Sequence, residues 1–137
     1  MYTLIRMALT LVAPIVMGIL IGIIDIAFMI GDLSGDAKST IAHGISAMIY
    51  LIALSFAAFN IDFIVNLGLP GFLSNQIVML VLLGIIATIV VHTKSAVFKG
   101  GRGRGTHEKW AHSLVIGILV AVSPYLWTFV APFIPFA

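Results

Sequence analysis

The sequence predicts an all-α integral membrane protein with four transmembrane helices, and composition and patterning both indicate this fold class. Of the 137 residues, 61% are hydrophobic and 9% are charged, whereas an average soluble domain is about 25% charged. The mean hydropathy is +1.21. Four apolar stretches reach the roughly 20 residues that cross the hydrocarbon of a bilayer. These observations exclude a soluble globular domain.

Polar turns or turns with glycine and proline separate the four predicted helices. Ser39 or Thr40 is expected to cap the second helix, because short polar side chains bond the free amides of a first turn. Ser74 or Asn75 is expected to cap the third. Pro124 is expected to kink the fourth helix or to loosen its last turns. The predicted helix ranges are 7–31, 41–65, 76–97 and 110–130.

Basic residues are concentrated in one loop, the segment Lys94–Lys109. It holds five Lys or Arg residues and one Glu, so its net charge of +4 exceeds the +2 of the whole chain. The positive-inside rule therefore predicts that this loop is cytoplasmic while the protein is in the membrane. One interpretation is a topology signal with solvated side chains. The other is a lipid or phosphate site, in which a glycine-rich backbone wraps an anion. Its predicted ligands are Lys99, Arg102, Arg104 and Lys109.

An internal repeat suggests that the four helices form two parallel-repeat helical hairpins. Ile15–Ile24 aligns with Ile77–Ile86 at an offset of 62, with seven of ten positions identical. Ala42 and His43 align with Ala111 and His112 at an offset of 69. Chance similarity between apolar segments is the alternative. The repeat divides the single membrane domain into a first hairpin, 1–68, and a second hairpin with the basic loop, 69–137.

Asp25 is the strongest candidate for chemistry inside the membrane. It lies about six residues, or roughly 9 Å, from the cytoplasmic end of the first predicted helix. An acid at that depth is costly and indicates either an ion pathway or a structural ion pair. Lys94 and Lys38 are the basic side chains expected to reach it as pair partners.

Three histidines, at positions 43, 92 and 112, are predicted near the cytoplasmic ends of their helices. They either face water and headgroups or converge on a metal or haem. The segment His107–His112 does not match a zinc-protease helix, because its histidines are five residues apart and do not share a face. The chain has no cysteine, which excludes disulfides and thiolate sites. We expect no catalytic residue, no enzyme activity, no metal and no cofactor other than a bound lipid.

Small residues at helical spacing predict close contacts between helices. They permit backbones to approach, either inside one chain or between copies of the chain. The candidate packing residues are Gly18, Gly22, Gly84, Gly117 and Ala121.

The layout of Gln76–Val130, an apolar helix, a short basic loop and a second apolar helix, resembles that of the TrbC-like conjugation pilins. The resemblance covers about 40% of the chain. It implies a hairpin that is extracted from the membrane with lipid and stacked into a tube. Lys99, Arg102, Arg104 and Lys109 would then face the lumen. Members of that family usually have two helices, so four helices imply a tandem fusion.

Three functional hypotheses follow. The first is a self-associating structural subunit of a DNA-transfer filament, a pilin-like protomer found in the membrane and in a cell-surface filament. Its partners would be membrane lipids, other copies of the chain, and nucleic acid that passes through the assembly without sequence-specific binding. The second is a small oligomeric ion channel or transporter that uses Asp25. The third is an accessory membrane anchor of a respiratory complex, with His43 or His112 near a cofactor.

Overall fold

Residues 9–32, 37–97 and 109–135 are described by the computed structural model, and every regular element in these ranges is helical. The predicted all-α class is therefore confirmed. The described α-helices are α1 Val12–Asp32, α2 Ala37–Phe59, α3 Ile61–Asn66, α4 Gln76–Val97 and α5 Trp110–Val130. Short 3-10 helices cover Gly71–Ser74 and Ala131–Phe133.

Three of the described helices, α1, α4 and α5, are long and apolar enough to cross a membrane. This finding indicates a membrane protein. Helix α2 has 23 residues, but its apolar part is shorter and covers Gly44–Phe59. Its first turn contains Lys38, Ser39 and Thr40.

The observed helix bounds agree with the predicted ones in the second half of the chain. The predicted third and fourth helices coincide with α4 and α5. Helix α1 begins at Val12 rather than at residue 7, which places Pro14 in the first turn, where a missing amide breaks no helical hydrogen bond. The capping prediction for Ser39 and Thr40 is wrong, because α2 already begins at Ala37.

Asn60 interrupts the helix that was predicted to continue to residue 65. Its backbone leaves the helical region, with φ −126° and ψ 42°. The side-chain amide of Asn60 accepts a hydrogen bond from the Thr10 amide at 2.8 Å and donates to the Thr10 carbonyl at 3.0 Å. It also donates to the Phe56 carbonyl at 2.9 Å. Asn60 therefore anchors the chain before α1 to the end of α2.

Polar side chains also bond the free backbone groups at the ends and at the proline of the later helices. The Asn75 side chain accepts hydrogen bonds from the Ile77 amide at 3.0 Å and the Val78 amide at 3.3 Å, so Asn75 caps α4 as predicted. Helix α5 continues through Pro124 to its end at residue 130. Pro124 has no amide for the Val120 carbonyl, and the Ser123 hydroxyl donates to that carbonyl at 2.8 Å instead.

The long helices form a bundle of two antiparallel hairpins. Helix α1 packs along α2, and α4 packs along α5. The hairpins meet through contacts of α1 with α5 and of α2 with α4, and α2 also contacts α5 across the bundle. We name the end that holds residues 32, 37, 97 and 110 the loop end, and the opposite end, with residues 12, 59, 76 and 130, the far end.

The two hairpins bury corresponding positions. The buried face of α1 and the buried face of α4 are related by the offset of 62 that the sequence repeat has. Buried positions of α2 and α5 are related by the offset of 69 in the same way. Gly22 lies against Met48 in the first hairpin, and Gly84 lies against Gly117 in the second, which are the same paired positions. The buried residues of α1 that correspond, in order, to Met79, Leu83, Ala87 and Val91 of α4 are Met17, Ile21, Asp25 and Met29. The buried residues of α2 that correspond, in order, to Ser113, Ile116 and Val120 of α5 are Gly44, Ala47 and Leu51.

Candidate functional site

Asp25 lies on the buried face of α1 and is completely buried. Its exposed fraction is 0%, and both of its carboxylate oxygens lack a hydrogen-bond partner among the described residues. Ile21 and Met29, one turn away on either side, are 1% exposed. The only charged residue in the apolar run of α1 before Asp32 is therefore directed into the core of the bundle.

Contacts of the neighbouring residues define the surroundings of Asp25. Gly22 lies against Met48 and Gly44 lies against Ile26, so Asp25 is level with this part of α2. The hydrophobic part of the core at this level is aliphatic. Its buried members are Ile21, Leu51, Ala87, Val91, Ile116 and Val120, with Phe28, Leu54 and Leu119 packed against them.

An unpartnered carboxyl group in such a core opposes folding. Moving a polar group out of water without a compensating hydrogen bond costs about 2–7 kcal/mol, and an ionised carboxylate costs more. An apolar residue at position 25 would avoid this cost, as Ala87 does at the corresponding position of the second hairpin. The burial of Asp25 in place of an apolar residue therefore lowers the stability of the fold.

The predicted pairing of Asp25 with Lys94 is not formed. The Lys94 ammonium group donates to the Ser46 hydroxyl at 2.5 Å and lies 3.9 Å from the centre of the Tyr50 ring. Both partners are on α2. The side chain of a lysine close to a helix end reaches polar groups near that end at a lower desolvation cost than it reaches a carboxylate in the core. The side chain of Lys38 lies outside the described part of the chain.

The described histidines stack on aromatic rings at the loop end. The His112 ring is stacked on Phe28 with 4.5 Å between ring centroids and an angle of 15°. The His92 ring is stacked on Trp110 at 3.6 Å and 21°. Nδ1 of His92 also lies 3.4 Å from the hydroxyl of Ser113, which is fully buried. The two histidine rings and the Ser113 hydroxyl form a polar layer between the core and the loop end.

The histidine arrangement does not form a metal site among the described side chains, which exclude that of His43. No three His, Cys, Asp or Glu residues in this set could hold a metal ion together. His92 and His112 are also directed at different aromatic partners. The alternative in which the three histidines converge on a metal or haem is thus not seen in the described part of the chain.

Polar groups occur again between the core and the far end. The Ser55 hydroxyl is buried and has no hydrogen-bond partner among the described residues. Beyond it, a cleft of about 430 Å³ opens at the far end, with polar side chains from Thr10, Asn60, Asp62 and Gln76 in its wall. Ser55 and Ser113 were not identified from the sequence. The signal that marks them is their spacing from buried apolar residues on the same helix face.

The predicted packing residues lie at helix crossings within the chain. A Cβ atom on Gly18 would lie 2.5 Å from Cα of Ile52, and a Cβ atom on Gly84 would lie 2.9 Å from the Gly117 carbonyl oxygen. Ala121 lies beside the same crossing. This crossing also borders a shallow groove of about 200 Å³ between α4 and α5, which has an entirely apolar wall.

The predicted phosphate-binding residues Lys99, Arg102 and Arg104 lie outside the described residues. Lys109 is described and exposed at the start of α5, where its carbonyl accepts hydrogen bonds from the amides of His112 at 2.9 Å and Ser113 at 3.3 Å. The phosphate-binding role therefore stays a prediction.

The fold and the buried acid together define a class, an all-helical protein with membrane-length apolar helices and an unpartnered carboxyl group in its core. No protein family model matches the chain, and no match was found among the curated proteins or the solved structures compared with it. The functional argument therefore rests on the residues described above.

Proposed function

We propose that this protein is a small four-span membrane protein that moves an ion across the bilayer by way of Asp25. The single observation that carries the proposal is the complete burial of an acid that has no hydrogen-bond partner among the described residues. Charged groups inside membrane bundles are costly, and ion and proton pathways are the settings in which they occur. This proposal corresponds to the second of the three hypotheses above.

The four-span topology is supported by the packing of α2. Its 23 residues correspond to about 34 Å at 1.5 Å per residue, which is enough to cross the hydrocarbon of a bilayer. It packs antiparallel along α1, so it would cross the membrane beside α1 in the opposite direction. The basic residues between α4 and α5 would keep the loop end in the cytoplasm.

The proposed arrangement is a duplicated hairpin. Corresponding burial and the corresponding pairs Gly22–Met48 and Gly84–Gly117 support a two-fold axis along the membrane normal, as in other parallel repeats. Under that symmetry Ala87 takes the place of Asp25. One hairpin would thus carry the acid, while the other supplies an apolar wall.

Replacing Asp25 with asparagine tests the transport role. We expect the Asp25→Asn variant in liposomes to conduct ions no faster than protein-free vesicles, because the amide has nearly the same shape but no titratable charge. The control is Thr128→Ala, which changes an exposed side chain outside the far-end cleft. Ion flux through wild-type protein would be measured with indicator dyes. Flux through Asp25→Asn equal to that of the wild type would contradict the proposal.

A second candidate function, the pilin-like filament subunit, is favoured by the apolar groove between α4 and α5. A groove lined by small residues on the lipid-facing side fits a helix of another copy of the chain. Val81, Ile85 and Ile118 in its wall and rim have exposed fractions of 54%, 52% and 53%. In this proposal the basic loop binds lipid headgroups in the assembled filament.

Electron microscopy of native cell surfaces and membranes tests the filament proposal. Filaments that contain this chain and co-purify with lipid are the expected result. Protein found only in membranes, with no filament that contains it, would contradict the proposal.

A further inference from the structure

The ion that Asp25 takes up can be inferred from the ligands that surround it. A metal cation that leaves water needs several oxygen ligands to replace its hydration shell. The hydrophobic core around Asp25 is aliphatic, and neither carboxylate oxygen has a hydrogen-bond partner among the described residues. A proton needs only one carboxylate oxygen. Binding it also removes the charge that is costly to bury.

Polar side chains at the loop end of α5 lie close to the level of Asp25. Phe28, almost one turn beyond Asp25 on α1, stacks on His112. Because α1 and α5 are antiparallel, Asp25 is level with the turn that follows His112, which contains the buried Ser113. Ser113 in turn lies 3.4 Å from Nδ1 of His92. The rings of His112 and His92 and the hydroxyl of Ser113 can accept and donate protons between the core and the loop end.

The opposite direction is closed by apolar side chains. Between the level of Asp25 and the far end lie Ile21, Leu51 and Val120, which are 1%, 0% and 0% exposed. Beyond this layer lie the buried hydroxyls of Ser123 on α5 and Ser55 on α2, followed by the far-end cleft. Two polar half-routes are thus separated by an apolar layer.

We propose that the ion bound by Asp25 is a proton, and that in this conformation the proton reaches it from the loop end through His112 and Ser113. This inference rests on the proposed transport function and specifies its substrate. Passage to the far end requires the layer of Ile21, Leu51 and Val120 to open, so the protein is a gated carrier rather than an open pore. The other titratable side chains described near the loop end are Tyr50 on α2, His92 and Lys94 on α4, and Lys109 before α5.

The test uses the full chain in liposomes that contain a pH-sensitive dye, with the membrane potential clamped by potassium and valinomycin. An external acid step is expected to acidify the lumen of wild-type vesicles, while a sodium gradient produces no sodium entry. Asp25→Asn should abolish the proton entry and Asp25→Glu should retain it. Sodium entry that depends on Asp25 would overturn the proton assignment and leave the proposed function intact. Absence of any Asp25-dependent flux would overturn both.

The route is tested separately with His112→Gln and Ser113→Ala. Each is expected to slow proton entry and to change its dependence on pH. Thr128→Ala, which changes an exposed hydroxyl outside the far-end cleft, should leave both unchanged. Variants would first be compared by circular dichroism, so that only folded protein is assayed. Wild-type rates and pH profiles in both His112→Gln and Ser113→Ala would overturn the loop-end route.

Discussion

Replacing Asp25 with alanine is expected to stabilise the folded bundle by about 1–3 kcal/mol, because it removes a buried polar group that has no hydrogen-bond partner in the described part of the chain. Alanine fits this environment, since Ala87 is 0% exposed at the corresponding position of the second hairpin. The loss of a few side-chain atoms leaves only a small cavity. The free energy of unfolding would be measured by denaturant titration in detergent micelles, followed by circular dichroism.

The control for this experiment is Asp62→Ala, which removes an exposed carboxylate. A substitution at such a surface position is expected to change the free energy of unfolding by no more than about 0.5 kcal/mol. If Asp25→Ala were instead less stable than the wild type, the Asp25 carboxyl group would have a stabilising partner in the folded protein. The argument that chemistry retains this acid would then be wrong.

Replacing Gly18 with alanine is expected to destabilise the bundle by about 1–3 kcal/mol, the usual cost of forcing extra atoms into a packed contact. The new Cβ atom would lie 2.5 Å from Cα of Ile52 on α2. The atom it meets belongs to the backbone, so a change of side-chain rotamer cannot relieve the clash. The α1–α2 crossing would have to widen. The same denaturant titration measures the effect.

Gly31→Ala is the matched control, because Gly31 lies in the same helix and a Cβ atom there would meet nothing within 4 Å. Both substitutions remove the conformational freedom of a glycine from α1. The difference between the two variants therefore isolates the contact with α2. Equal stabilities of the two variants would show that the α1–α2 crossing is not as close as described.

The starts of both helices of the second hairpin were predictable to the residue because local signals mark them. Asn75 supplies a capping side chain before α4, and an uncharged run begins at Trp110. The break at Asn60 was not predictable in the same way. It depends on hydrogen bonds with Thr10, which is 50 residues away in the chain, and no local pattern shows that contact.

The candidate site was predictable in part. Asp25 stood out because it is an acid in an apolar run, and its depth followed from helix geometry. The partner of Lys94 did not follow, because it depends on how α2 packs against α4 and thus on which hydroxyl lies within reach. Ser55 and Ser113 were missed because a serine in an apolar helix usually bonds its own backbone, as Ser123 does here.

The central claim is that Asp25 is retained for ion movement although its burial opposes folding. The most direct test measures proton flux and the free energy of unfolding on the same preparations of wild-type and Asp25→Ala protein. The account predicts that the variant loses its proton flux and unfolds at a higher denaturant concentration than the wild type. A variant that keeps its proton flux would contradict the account, whatever its stability.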